Sequence, residues 1–319
     1  MHTAAVTGEW FSAQVWKPDT GHREHPLVRW TCAAWDSVGL GKSHGYTRNM
    51  DGLDTRRQFV HGGSSRQRTW ELSMSALTNK VAVITGAAGV IGTETINVFK
   101  SQGAVVVGVD LAGTHENADV FLHADLTNEA EVERLYASAY GECGRIDILF
   151  NNAGIADVDD SSVLNSPIKV WNRVLAANLT SVFLCCKHGI PYLLNGGGGS
   201  VVNTASLVAG MGSAVSQIGY TASKGGVLSM SREMGVEFAK QGVRVNAISP
   251  GPVETPLLKN MFSAEDATRR LVHVPMGRFA NPREVAEVVA FLCSDAASYV
   301  NASEINIDGG IKAAYVTPV

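Results

Sequence analysis

The sequence lacks the long apolar segments of membrane and secreted proteins. No run approaches the roughly 18 consecutive apolar residues needed to cross a bilayer, and the first thirty residues contain no apolar core of a secretory signal. The five cysteines are odd in number and show no Cys-x-x-Cys spacing, which is typical of reduced thiols. We therefore expect a soluble, cytoplasmic protein without a membrane partner.

The sequence also lacks a strong excess of charge. Its formal net charge is −4 at pH 7 and 18% of its residues are charged, a balance that argues against a nucleic-acid or polyanion partner. His22 and His25 have no further ligand cluster beside them, so no metal centre is expected. A chain of 319 residues is long enough for one large α/β domain or two modest ones.

Residues 1–75 lack any helical or strand-like apolar period and are predicted to form an irregular extension. They hold five of the six tryptophans, Trp10, Trp16, Trp30, Trp35 and Trp70. Three interpretations stay open: a disordered tail, a spurious upstream segment with Met74 as the true initiator, or an organelle-targeting peptide. Acidic residues such as Glu9 and Asp19 count against the third.

From Lys80 onward, short β-branched runs alternate with amphipathic segments. The runs are almost continuously apolar, as expected for parallel strands that helices cover on both faces. The predicted strands are Val81–Thr85, Ala104–Val109, Val120–Ala124, Ile146–Asn151, Ser200–Thr204, Val243–Ser249 and Glu304–Ile307. Helices are predicted over Glu129–Tyr140, Thr180–Leu194, Tyr220–Gln241 and Pro282–Ser294, the last capped by Asn281. Residues 76–319 are thus predicted to form a single α/β domain, a Rossmann-type doubly wound seven-stranded parallel sheet with helices on both faces.

A glycine-rich turn follows the first predicted strand and opens a helix. Its glycines permit a tight turn, close approach of a pyrophosphate and close packing of helix on strand; they are Gly86, Gly89 and Gly92. Asp110 ends the second strand about 20 residues later, where a carboxylate accepts from the ribose hydroxyls of NAD and repels the 2′-phosphate of NADP. Because the glycine turn contains no Arg or Lys, we expect NAD rather than NADP as the cofactor.

Tyr220 and Lys224 lie one helical turn apart on the same predicted helix face. An ammonium beside a phenol favours the phenolate and is expected to lower the pKa of Tyr220, which makes an acid/base. Ser206 follows the fifth predicted strand at its carboxyl end, the side on which open α/β sheets bind ligands. Its hydroxyl is well placed to hydrogen-bond a reacting oxygen.

The order of these features resembles that of the short-chain dehydrogenase/reductase family, in its shorter branch of about 250 residues. In sequence come the glycine-rich turn, Asp110, Asp125-Leu126, Asn151-Asn152-Ala153-Gly154, Asn178, Ser206, Tyr220 with Lys224, and Pro250-Gly251-Pro252. The resemblance runs from about Thr78 to near the C-terminus. It implies an NAD(H)-dependent oxidoreductase that interconverts a secondary alcohol and a ketone.

The resemblance also implies roles for individual residues. Asp125 and the backbone of Leu126 would hold the adenine ring. Asn178 would disrupt its helix and so anchor a water of a proton relay; a helix cap is the alternative interpretation of that asparagine. The implied catalytic residues are Asn178, Ser206, Tyr220 and Lys224. The implied cofactor-binding residues are Gly86, Gly89, Val90, Ile91, Gly92, Asp110, Asp125, Leu126, Asn152, Ala153, Gly154, Tyr220, Lys224, Pro250, Gly251, Val253 and Thr255.

Two departures from the family pattern stand out. Val90 occupies a position where the shorter branch usually has glycine, as in the longer, epimerase-like branch, but the segment with Ser206, Tyr220 and Lys224 matches the shorter branch. Asn301-Ala302 replaces the usual Thr-Gly before the last strand. We expect this second change to alter local packing without touching the chemistry.

The family resemblance makes Pro256–Met276 a lid over the substrate and makes a homotetramer the expected assembly. The apolar side chains of this lid suggest an apolar or alicyclic substrate, although core packing explains them equally well; they are Leu257, Leu258, Met261, Phe262 and Leu271. Three alternatives stay open. One is a 3-oxoacyl-[acyl-carrier-protein] reductase, for which Arg269-Arg270 and Arg278 give a thin basic patch; the others are a non-catalytic dinucleotide sensor and an NAD-using epimerase or dehydratase.

Overall fold

The structure is a computed structural model that describes residues 75–255 and 264–314, all within the unit Gln67–Val319. The predictions for the extension up to residue 74 therefore lie outside the described residues. The same holds for four of the apolar lid residues, Leu257, Leu258, Met261 and Phe262.

The predicted parallel sheet is confirmed. Its strands are β1 Val81–Thr85, β2 Val105–Asp110, β3 Val120–His123, β4 Ile148–Asn151, β5 Gly199–Thr204, β6 Val243–Pro250 and β7 Glu304–Ile307. They lie in the order β3-β2-β1-β4-β5-β6-β7, and every neighbouring pair is parallel. Apart from exact ends, which differ from the predictions by at most two residues, the strands are those that the apolar runs indicated.

The helices cover both faces of this sheet. They are α1 Val90–Ser101, α2 Glu129–Cys143, α3 Ile168–Leu175, α4 Ser181–Asn195, α5 Ile218–Phe238, α6 Ala264–Leu271 and α7 Pro282–Cys293. The cap predicted at α7 is confirmed, because the Asn281 side chain accepts from the Arg283 N–H and Glu284 bonds back to the Asn281 N–H. Helix α3 was not predicted, and α5 begins two residues before the predicted start at Tyr220.

Two apolar layers hold the sheet between the helices. On one face, side chains of α2, α4 and α5 such as Tyr136, Leu193 and Val227 pack on the strands. On the other face, α1 and α7 pack against each other and the sheet through residues such as Phe99 and Val289. All of these side chains are fully buried. The five inner strands are covered on both sides, which is why their sequences do not alternate between apolar and polar, whereas the edge strands β3 and β7 are only partly buried.

One helical stretch of the described residues, Ile168–Asn195, is long and apolar enough to span a membrane, and half of its most apolar window is buried inside the domain. Its buried side chains belong to the layer that packs on the sheet. The Ile168–Asn195 stretch is thus buried in the way that a core helix of an α/β domain is.

The strand order reverses between β1 and β4. In open α/β sheets, ligands bind at the carboxyl ends of the strands at such a reversal point. The turns that follow β1 and β4 contain the glycine-rich turn and Asn151-Asn152-Ala153-Gly154, so the topology brings these two predicted segments together.

Candidate active site

The glycine-rich turn between β1 and α1 forms a close-packed cradle. Gly86 has a φ of +65°, and a Cβ atom there would lie 2.9 Å from the Ala153 Cα atom. A Cβ atom at Gly92 would lie only 2.1 Å from the Gly86 carbonyl oxygen. Helix α1 begins at Val90 without a side-chain cap from Gly89 and without an acidic residue in its first turn. The helix therefore offers free N–H groups and a positive dipole end to a phosphate.

The turn after β4 is tied to this cradle by Thr85. The Thr85 hydroxyl accepts hydrogen bonds from the Asn152 N–H at 3.0 Å and the Ala153 N–H at 3.2 Å. In return, the Asn152 side-chain amide approaches the Thr85 and Gly86 carbonyl oxygens at 3.3 and 3.4 Å. Sequence reasoning missed Thr85; a polar residue at the end of an apolar strand was the available signal.

Two carboxylates follow the ends of β2 and β3. Asp110 ends β2, and its two oxygens accept from the N–H of Ala88 in the glycine turn at 3.0 Å and of Leu111 at 2.8 Å. Asp125 lies just beyond β3, where one oxygen accepts from the N–H and the hydroxyl of Thr127. The structure thus brings Asp110 directly to the glycine turn, and its predicted contact with the ribose of a dinucleotide stays a prediction.

Asn178 lies in a π-helical turn, Ala176–Thr180, that joins α3 to α4. Its side chain is fully buried, accepts from the Ile155 N–H at 2.7 Å and donates to the Ile155 carbonyl at 2.9 Å. The same amide lies 3.3 Å from the Ser223 hydroxyl. Asn178 is therefore not a helix cap; it links an irregular turn of the helix to the segment after β4, as π-bulges at functional sites often do.

Tyr220, Ser206 and Lys224 meet at the carboxyl ends of the strands. The Lys224 ammonium lies 5.7 Å from the centre of the Tyr220 ring, and the Ser206 side chain lies close enough to the Tyr220 phenol to affect its pKa. Lys224 is 3% exposed and donates to the Thr204 carbonyl at 2.7 Å. An ammonium has three donors, so Lys224 retains donors for a ligand hydroxyl.

Burial sets the protonation of this pair. It raises the pKa of Tyr220 above its ordinary value, and the nearby Ser206 side chain opposes this only in part. Burial also lowers the pKa of Lys224 to about 8. The expected lowering of the pKa of Tyr220 is therefore wrong in direction, because removal of the phenol from water disfavours the phenolate.

The predicted nicotinamide loop leaves the end of β6. Pro250 is the last residue of that strand, and a Cβ atom at Gly251 would lie 2.8 Å from the Asp308 Cα atom. Val253 is buried and forms a bridge with Ala280. A cavity of about 480 Å³ borders this loop and is lined by Pro252, Val274, Met276, Ile307 and Gly309 among others. Because neither Tyr220 nor Ser206 lines it, this cavity does not indicate the substrate.

Comparisons with known proteins agree with this geometry. Residues 86–312 match a family described as "Enoyl-(Acyl carrier protein) reductase". The chain is 38% identical over 251 residues to a cis-4-hydroxycyclohexanecarboxylate dehydrogenase of Sinomonas cyclohexanicum, with 75% of this chain and 98% of that protein covered. The chain belongs to the short-chain dehydrogenase/reductase family.

Other members of the short-chain dehydrogenase/reductase family show the same likeness. A 3-oxoacyl-[acyl-carrier-protein] reductase of Thermotoga maritima is 36% identical over 248 residues, with 74% of this chain and 98% of that protein covered. The crystal structure of levodione reductase matches with a TM-score of 0.71 at 35% identity, covering 75% of this chain and 100% of that one. The chain is thus an oxidoreductase of a family that normally binds a nicotinamide dinucleotide, and its glycine cradle fits the phosphates of such a group.

Proposed function

We propose that this protein is an NAD(H)-dependent oxidoreductase that interconverts a secondary alcohol and a ketone, with Tyr220 as the acid/base. The observation that carries the proposal is the meeting of Tyr220, Ser206 and Lys224 beside the glycine cradle, at the carboxyl ends of the strands. A protein that only senses a dinucleotide has no need of a buried proton donor. An epimerase or dehydratase would show no net change in NADH during turnover.

A bound nicotinamide dinucleotide would supply or accept the hydride. The residues of the chain handle the proton on the substrate oxygen: Tyr220 donates it during ketone reduction and takes it during alcohol oxidation. The Ser206 hydroxyl orients that oxygen. Lys224 would hold the cofactor ribose with the donors that Thr204 does not use. From the family resemblance we propose that Asn178 would hold a water of the relay that returns the proton to solvent.

The direction of the Tyr220 pKa shift predicts a pH dependence. Because burial raises this pKa, the phenol carries its proton at neutral pH and is ready to reduce a ketone. Alcohol oxidation requires the phenolate. Its rate is therefore expected to increase with pH over the range in which the rate of ketone reduction declines.

The preference for NAD over NADP rests on Asp110. Its carboxylate is held at the glycine turn by the Ala88 N–H, so its negative charge lies where the adenosine ribose is expected. A 2′-phosphate there would meet a fixed like charge. We propose that Asp125 and the backbone of Leu126 hold the adenine ring. The cytoplasmic location and the homotetramer stay predictions.

We propose a small apolar or alicyclic alcohol as the substrate. The Sinomonas relative is named for a substrate with a cyclohexane ring, which supports an alicyclic substrate. The rival substrate is an acyl chain on an acidic carrier protein, as the name of the Thermotoga relative states. Arg278, one of the basic residues that such a carrier would need, is already paired with Glu284 through hydrogen bonds of 2.7 and 2.6 Å, which weakens that alternative.

The test is a fluorescence titration of the purified protein with NADH and NADPH, followed by a panel of cyclic alcohols, acyclic alcohols and 3-oxoacyl thioesters. We expect tighter NADH binding and turnover of cyclohexanol. Asp110→Ser should reduce the ratio of the Kd for NADPH to the Kd for NADH. Glu116→Gln, which changes an exposed carboxylate in the same loop between β2 and β3, should leave this ratio unchanged. NADH binding without turnover of any compound would favour the sensor, and a preference for NADPH would contradict the role of Asp110.

A further inference from the structure

A buried carboxylate lies at the start of the helix that carries Tyr220. Asp160 is 7% exposed, and its Oδ2 atom accepts a hydrogen bond from the Tyr220 N–H at 2.7 Å. Its Oδ1 atom accepts from the Gly219 N–H at 2.9 Å and from the Ser166 hydroxyl at 3.1 Å. One aspartate thus binds the backbone of Tyr220 and of the residue before it.

Asp160 acts as an N-terminal cap of α5, although it lies in a distant part of the sequence. Gln217, at the N-cap position of α5, makes no side-chain hydrogen bond to the helix. Asp160 supplies the missing acceptor from 60 residues earlier in the sequence. Hydrogen bonds from N–H groups to an ionised acceptor are short and about twice as strong as neutral ones, and a negative charge suits a helix N-terminus.

The segment that carries Asp160 is itself fixed at several points. Asn178 holds both the N–H and the carbonyl of Ile155. Two residues later, Asp157 pairs with Arg173 of α3, and the Asp160 N–H donates to the Asp157 carbonyl at 3.1 Å. Asp160 therefore fixes the first turn of α5 relative to this well-anchored segment.

We propose that Asp160 is a positioning residue, which holds the Tyr220 main chain and thereby the place of its phenol beside Ser206. The bond is to the nitrogen of Tyr220 itself, so a displaced first turn of α5 carries the phenol with it. Misplacement of a reacting group by about 1 Å can cost about a hundredfold in rate. This inference rests on the proposed function, since it takes Tyr220 as the acid/base.

The first test compares Asp160→Asn with Asp159→Asn, an exposed neighbour in the same turn. Asparagine keeps one acceptor, but its NH2 group then faces an N–H that the carboxylate had bound. We expect Asp160→Asn to lower kcat by about tenfold to a hundredfold, with the Kd for NADH within about twofold of wild type, and Asp159→Asn to leave both unchanged. An unchanged kcat, or a loss of NADH affinity as large as the loss of kcat, would overturn the proposal.

A double-variant cycle separates this inference from the function on which it rests. If Asp160 acts through Tyr220, Asp160→Asn should not change the residual rate of Tyr220→Phe further. If Tyr220→Phe keeps most of its turnover, the proposed function itself fails. If Tyr220→Phe is inactive while Asp160→Asn keeps full kcat, only the role of Asp160 fails.

Gly219→Ala provides a second route if Asp160→Asn does not fold. A Cβ atom at Gly219 would lie 3.3 Å from both Asp160 oxygens and push the carboxylate away from the Tyr220 N–H. Alanine otherwise suits a helix better than glycine. We expect kcat to decrease severalfold while Tm stays level or rises, a split that a merely structural role would not produce. An unchanged kcat would count against the proposal.

Discussion

Substitution of Gly92 by alanine should damage the cradle, whereas the same substitution at Gly141 should stabilise the protein. Alanine in place of glycine inside a helix contributes about 1 kcal/mol to stability. At Gly141 of α2 nothing lies within 4 Å of the added Cβ atom, so this gain should appear in full. At Gly92 of α1 the added atom would lie 2.1 Å from the Gly86 oxygen and 2.8 Å from the Ala87 Cα atom.

The net effect at Gly92 follows from these two contributions. Overpacking costs about 1–3 kcal/mol, and a contact as short as 2.1 Å belongs at the upper end of that range. After subtraction of the helix gain, we expect Gly92→Ala to lower the free energy of unfolding by about 2 kcal/mol. Because Gly86 must move, the turn no longer presents its N–H groups to a phosphate in the same way.

The assay is urea unfolding of both variants together with fluorescence titration by NADH. We expect Gly141→Ala to gain about 1 kcal/mol with unchanged NADH affinity. Gly92→Ala should lose stability and bind NADH at least about tenfold more weakly, which is about 1.4 kcal/mol. If Gly92→Ala kept wild-type stability and NADH affinity, the close packing of this turn would not be what holds the cofactor.

Three further predictions concern stability. Burial lowers the pKa of Lys224 from 10.5 to about 8, so between these pH values the unfolded chain binds more protons than the folded protein. The free energy of unfolding of wild type should therefore rise relative to that of Lys224→Met as the pH increases from about 8 to 10.5, and a constant difference would contradict this. Ala302 has a φ of +51°, so Ala302→Gly should relieve backbone strain but also increase the entropy of the unfolded chain. The net result should be a free energy of unfolding higher by up to about 1 kcal/mol, and a lower Tm would show that the backbone of Ala302 is not strained. Asn281→Ala removes the cap of α7 and should cost about 1 kcal/mol in thermal unfolding, and no loss of Tm would show that the cap is dispensable.

Much of the fold was predictable because the inner strands are buried on both faces. Their continuous apolar runs and the glycine turn after β1 are local features, and so is the spacing of Tyr220 and Lys224 on one helix face. Helix α3 was not predicted. The helix disruption at Asn178 was implied only by the family resemblance, since its π-helical turn depends on a partner in the segment after β4, Ile155.

Two properties of the site depend on three-dimensional packing. The raised pKa of Tyr220 follows from its burial, which the spacing to Lys224 does not contain. Asp160 stands in a short segment with Asp157 and Asp159, and only the pairing with α5 shows which of the three carboxylates reaches Tyr220. At Asn301-Ala302, the expected change in packing takes the form of a left-handed Ala302 against Gly235.

The central claim is that Tyr220 moves the proton on the substrate oxygen. The most direct measurement compares NADH binding and single-turnover reduction of cyclohexanone between wild type and Tyr220→Phe. The loss of NADH fluorescence reports the progress of the reaction. The account predicts that Tyr220→Phe binds NADH with about the wild-type Kd and loses at least about a hundredfold in the rate of hydride transfer. A variant that binds NADH and keeps most of the wild-type rate would contradict it.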